Sequence, residues 1–162
     1  MLSALWFGTV PYISVDAEPP VDPKDTLSAP FLVTNKNFWA LHDTTLICGL
    51  NDVEFSTGKG ITRLKVKQPP EESDLGTIEG RDSTHAFCDR VMAPTVPREH
   101  IELEVTLQFH YFWYLGRPME DHFIFRTKRM SDGTLRFYKA ARRREYPWAL
   151  KLKQNLRIVD PT

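Results

Sequence analysis

Apolar and polar residues alternate one for one along much of this chain, rather than recurring at the three-to-four-residue spacing of a helix face. The clearest stretch runs from Ile101 to Tyr114. Ile101, Leu103, Val105, Leu107, Phe109, Tyr111 and Trp113 take one set of positions, and Glu102, Glu104, Thr106, Gln108 and His110 the other. Successive side chains of an extended backbone point to opposite faces. The pattern therefore predicts a long strand with one buried and one wet face. Leu103, Val105, Leu107 and Phe109 are expected in the core, with Glu104, Thr106 and Gln108 outside.

Weaker versions of the same pattern predict strands over Tyr12–Ala17, Phe31–Thr34, Thr44–Leu50, Val53–Phe55, Ile61–Val66 and His85–Cys88. Two more, His122–Arg129 and Thr134–Tyr138, flank Ser131-Asp132-Gly133, whose Asp-Gly step is a strong hairpin signal. Pro19-Pro20, Pro69-Pro70 and Pro94–Pro97 would each break a central strand, so they read as loops. The polar stretch Gln68–Ser83 reads as an acidic loop, and Glu120-Asp121 as a turn. Only Lys139–Leu152 offers room for a helix, and Pro147 limits it. Many short strands with turn residues between them predict an all-β sandwich.

Composition adds bounds rather than a function. A chain of 162 residues with 41% hydrophobic and 26% charged residues has the make-up of one folded domain. No apolar run is long enough to span a bilayer. Net charge is zero, yet the distribution is uneven: residues 1–125 hold 10 Lys+Arg against 18 Asp+Glu, and residues 126–157 hold 11 against 2. Lys139, Arg142, Arg143, Arg144, Lys151 and Lys153, interleaved with Tyr146 and Trp148, form a candidate anion-binding segment. Arginine beside aromatics suits anionic lipid headgroups or an envelope polymer. It also suits nucleic-acid phosphate plus base stacking. A third reading is a solvated tail that neutralises the acidic body. Replacing Arg142, Arg143 and Arg144 with Ala is expected to leave the melting temperature nearly unchanged.

Other chemistry is thinly supported. Cys48 and Cys88 lie in no C-x-x-C pair, and the five histidines show no H-x-x-x-H or H-E-x-x-H spacing, so no metal site is predicted. Adjacent strands could bring His110 near His122. The cysteines read either as a disulfide in an exported domain or as two buried thiols. There is no G-x-S-x-G elbow or P-loop, so no catalytic residue, cofactor or small-molecule substrate is predicted. Residues 1–11 are apolar and uncharged. They read as a lead-in to the first strand or as the outer end of a membrane helix.

One group of motifs carries a resemblance. Ile13-Ser14-Val15-Asp16, Val21-Asp22-Pro23-Lys24-Asp25 and Ala29-Pro30-Phe31-Leu32-Val33-Thr34-Asn35 resemble a family of small, uncharacterised bacterial proteins. Leu41-His42-Asp43, the two cysteines and the Ser131-Asp132-Gly133 hairpin continue the resemblance over residues 12–140. Thr26-Leu27 stands where that family has a first Pro-Phe pair. The resemblance implies an N-terminal membrane helix followed by an immunoglobulin-like antiparallel β-sandwich, here residues 12–140; the charge count adds a basic C-terminal tail over 141–162. It also implies an extracytoplasmic, membrane-anchored place in the cell envelope; the alternative, since no full membrane helix is read in the sequence, is a soluble cytoplasmic protein. In the sandwich, Pro30 holds Ala29 extended and starts a strand. Asn35 and Asn37 supply turn chemistry, and Phe38, Trp39 and Leu41 are expected to fold over one end of the core. The expected function is a non-enzymatic binding or interaction module for a protein, envelope component or anionic lipid surface. The alternative is nucleic-acid binding through the basic segment.

Overall fold

The computed structural model describes residues 11–57, 59–65, 69–88, 98–111 and 114–145. Two antiparallel sheets pack face to face. The small sheet has the order β1 (Ile13–Ala17), β2 (Pro30–Asn35), β6 (Ser83–Phe87). The large sheet runs β4 (Gly60–Lys65), β3 (Leu41–Thr57), β7 (Arg98–Tyr111), β8 (Tyr114–Arg129), β9 (Leu135–Glu145), and β5 (Glu71–Ile78) also pairs with β3. The expected all-β sandwich is the fold.

Alternation places the core as expected on β7, where Leu103, Val105, Leu107 and Phe109 are fully buried. The opposite face is less wet than predicted. Glu104 and Gln108 are half-buried and Thr106 is buried, because this strand lies in the middle of its sheet, flanked by β3 and β8. The strand ends at Tyr111, Tyr114 already opens β8, and Trp113 lies outside the described residues.

The short runs expected at Thr44–Leu50 and Val53–Phe55 are one strand. β3 continues through register shifts between His42 and Thr45 and between Leu50 and Asp52, which keep Leu46, Cys48, Leu50, Val53 and Phe55 on the core side. Part of the expected acidic loop is β5, a charged edge strand drawn into register by the ladder of β3. Glu120 and Asp121 are not in a turn. They lie inside β8, and Asp121 faces the core. No helix forms over 139–145, since β9 runs on to Glu145. The Asp-Gly hairpin forms as predicted, with Gly133 at φ +83°. Among the described residues no helix is long and apolar enough to cross a membrane.

Covalent and ionic links close the sandwich. Cys48 of β3 and Cys88, just after β6, are joined in a disulfide with Cα atoms 5.8 Å apart. This bridge ties the large sheet to the small one. At the other side Lys139 Nζ of β9 reaches Asp16 Oδ1 of β1 at 2.8 Å. Partial burial by itself would raise the Asp16 carboxyl, but the Lys139 hydrogen bond and charge outweigh it and hold the group below its ordinary 3.8. A depressed folded-state value means the stabilisation is complete above the unfolded value and is lost as pH falls through the folded one. Asp16 is 57% exposed, so the effect is under about 1 kcal/mol. Lys139→Met should erase that share of the acid sensitivity in urea melts between neutral pH and pH below 4, and a variant with an unchanged acid profile would count against the pair.

Candidate functional site

The residues of the basic segment are dispersed by the strand that carries them. A bulge between Phe125 and Ile124 of β8 leaves Lys139, Arg142 and Arg144 opposite Phe125, Phe123 and Asp121, all core-facing positions. Lys139 is taken up by Asp16, and Arg142 forks onto the carboxylate of the fully buried Asp121. Arg143 points the other way, 68% exposed and 3.0 Å from Glu145. Residues 141–145 are thus strand and not tail, and Arg142 is a structural residue. Lys151 and Lys153 lie outside the described residues, as does the apolar segment 1–10.

A different basic and aromatic cluster caps one end of the sandwich. Phe38 and Trp39, expected to fold over the core, are 75% and 50% exposed, and Tyr12 is 57% exposed. Only Leu41 of that group turns inward. The reason is the pair of buried asparagines beneath them. Asn35 donates from Nδ2 to the carbonyls of Trp39 (2.8 Å), Ile78 and Glu79 (both 3.1 Å). Its Oδ1 accepts from the backbone and side chain of Asn37 at 3.1 and 3.0 Å. Asn37 Oδ1 in turn accepts the Tyr12 amide at 2.7 Å. Both have ordinary negative φ, so their work is tying three chain segments together rather than left-handed turning.

With the backbone spoken for, the 36–39 loop carries its side chains outward. The Lys36 ammonium sits 5.2 Å from the Tyr12 ring centroid, and the Arg81 guanidinium 4.0 Å from that of Phe38. Arg81 itself is held at φ +64°, its amide donating to the Asn37 carbonyl at 2.9 Å. The neighbouring Gly80 is obligatory for close approach, because a Cβ there would lie 2.0 Å from the Phe38 carbonyl oxygen. The result is a firmly held tip of three exposed aromatic rings and two cations. The asparagines were legible as turn residues, but nothing local in the sequence tells an aromatic that lies over the core from one that leaves it.

A surface cleft of about 460 Å³ opens between β5 and β6, lined in part by Glu71, Glu72, Asp74, His85 and Phe87. Its histidine is 3.2 Å from Glu18. The cleft sets carboxylates of an exposed edge strand beside Leu75, Ala86 and Phe87, and water screens them. His110 lies across from His42 and 3.4 Å from Asp43, and is not brought to His122, whose register partner on β7 is Thr106. Compared with protein-family models, curated proteins and solved structures, the chain gives no match.

Proposed function

We propose that this chain is a non-enzymatic, envelope-associated interaction module that docks on an anionic lipid surface through the tip formed by Tyr12, Lys36, Phe38, Trp39 and Arg81. The observation that carries the reading is that cluster: exposed Trp, Tyr and Phe with two cations, on a backbone too tightly bonded to retract them. Tyrosine and tryptophan settle at the headgroup level, and Lys and Arg beside them meet anionic lipid. The chain enters the described fold at Pro11 and Tyr12, so the apolar sequence of residues 1–10 joins the domain at this same end. An extracytoplasmic compartment agrees with the Cys48–Cys88 bridge, since such disulfides persist where the surroundings oxidise. An immunoglobulin-like topology is supported by the strand order, β1-β2-β6 against β4-β3-β7-β8, which follows an A-B-E and C′-C-F-G arrangement with β9 added. The bridge joins different strands from those of antibody domains. The nucleic-acid alternative has less support, because Arg142 and Lys139 are paired with carboxylates of the same domain.

Cosedimentation with vesicles tests the docking surface. Wild type should bind mixed phosphatidylglycerol–phosphatidylcholine vesicles and bind pure phosphatidylcholine more weakly. Each cation near such a surface contributes about 1 kcal/mol, so Lys36→Gln with Arg81→Gln should weaken binding roughly 30-fold. Phe38→Ser with Trp39→Ser should weaken it on both vesicle types. Arg143→Ala should stay within about twofold of wild type, since it is already paired with Glu145. Tip variants that bind like wild type would overturn the reading.

A further inference from the structure

The outer face of the large sheet gathers side chains that are distant in sequence. Thr106, His122 and Arg143 stand in one row across β7, β8 and β9, and Gln108, Glu120 and Glu145 in the next. Within these two rows the far atom of each of three donors is held by a neighbour. Thr106 Oγ1 is 2.9 Å from His122 Nδ1, Gln108 Nε2 donates to Glu120 Oε1 at 2.7 Å, and Arg143 lies 3.0 Å from Glu145 Oε1. The near atoms converge. Glu120 Oε2 is 3.2 Å and Glu145 Oε2 3.9 Å from His122 Nε2, and the three residues each place a donor atom within 4.8 Å of the others. The His122 side chain is only 13% exposed, and its Nε2 is fully buried yet makes no hydrogen bond. A third carboxylate, Glu104, closes the other flank at 3.4 Å from Nδ1.

In the tautomer that donates Nδ1–H to the Thr106 hydroxyl, Nε2 turns a lone pair toward two carboxylate oxygens. Such donors repel one another unless a cation lies among them. We propose that Glu120, His122 and Glu145 form a Zn²⁺ site, independent of the lipid-docking tip. An imidazole nitrogen with carboxylate oxygens is a donor set for a borderline cation rather than for Ca²⁺ or Mg²⁺, which take oxygen alone. Three protein ligands leave one tetrahedral position for water. Thr106, Gln108 and Arg143 orient the ligands from behind, as outer-shell groups do. The ion would tie outer-face side chains of β8 and β9 together, with Thr106 and Gln108 of β7 behind them.

The test uses tag-free, disulfide-intact protein stripped of metal with a chelator. Zinc titrated by calorimetry at neutral pH should bind one per chain, and Tm should rise by roughly 5–10 °C with free zinc about a hundredfold above Kd. Calcium should leave Tm unchanged. Thr106→Val should weaken zinc roughly 10–100-fold. His122→Ala should weaken it further. Glu145→Gln sits on the edge strand and is partly exposed, so it keeps the test decisive if the histidine variant fails to fold. Wild type that takes up no zinc would overturn the proposal. Unchanged zinc affinity in Glu145→Gln would overturn it too, by placing the ion elsewhere.

Discussion

Arg142→Ala should destabilise the domain by about 3–5 kcal/mol, lowering Tm by on the order of 10 °C. Asp121 is 0% exposed and lies on the inner face of β8 between Met119 and Phe123, both buried. Its carboxylate is answered across the ladder by Arg142, whose Nε donates to Oδ1 at 2.9 Å while a second arm meets Oδ2. The guanidinium also rests 5.0 Å from the Phe123 ring centroid. Truncating the arginine strands a charge among apolar side chains, which is far costlier than losing a surface pair. Asp121→Ala should cost less, because Arg142 is 26% exposed and can turn its fork toward water. Replacing both, with Asp121→Leu and Arg142→Met, should recover most of the loss. Arg143→Ala should change stability by less than about half a kcal/mol. Urea melts of the four variants check the set, and an Arg142→Ala protein as stable as wild type would show that Asp121 does not depend on its partner. The expectation of a solvated arginine tail, indifferent to substitution, is replaced by this one.

Reducing the Cys48–Cys88 bridge should cost roughly 4 kcal/mol in the chain-entropy account, given a separation of 40 residues. The link joins opposite sheets, so it constrains the one pairing that no backbone ladder supplies. Cys48→Ala with Cys88→Ala should show the same loss in urea melts. Both cysteines are essentially unexposed, 1% and 0%. A reductant should therefore act on the folded protein slowly, and thiol alkylation should follow global unfolding. Fast alkylation in native buffer, or variants melting with wild type, would contradict this account.

Several features were readable along the chain because they depend on neighbours two to four residues away. The alternation from Ile101 to Tyr111 predicted β7 and its inner face, and Cys48 shares its inward face with Leu46 and Leu50. The Asp132-Gly133 step gave the β8–β9 hairpin, and Pro30 the start of β2. Had the alternation of Phe123, Phe125 and Thr127 been followed back through Met119, Asp121 would already have stood out as a charge in an apolar row.

Other features were set by partners far off in sequence. β5 reads as a loop, since Glu, Ser, Asp and Gly are poor strand formers, yet the exposed ladder of β3 recruits it. Which of the two cysteine readings holds depended on two sheets meeting within 5.8 Å between Cα atoms. Thr106 was legible as outward, but its burial and its contact with His122 came from the register of β7 on β8. The outward turn of Phe38 and Trp39 came from Asn35 reaching carbonyls 43 and 44 positions away. The amino-acid sequence by itself determined the periodicity of β7, the chemistry of the β8–β9 turn and the facing of the β7 core residues, because those follow from local sterics and from the pleat. Only the tertiary structure decided which charges are buried, which cations have partners and which donors converge. Those depend on strand register, a long-range pairing that alternation alone leaves open.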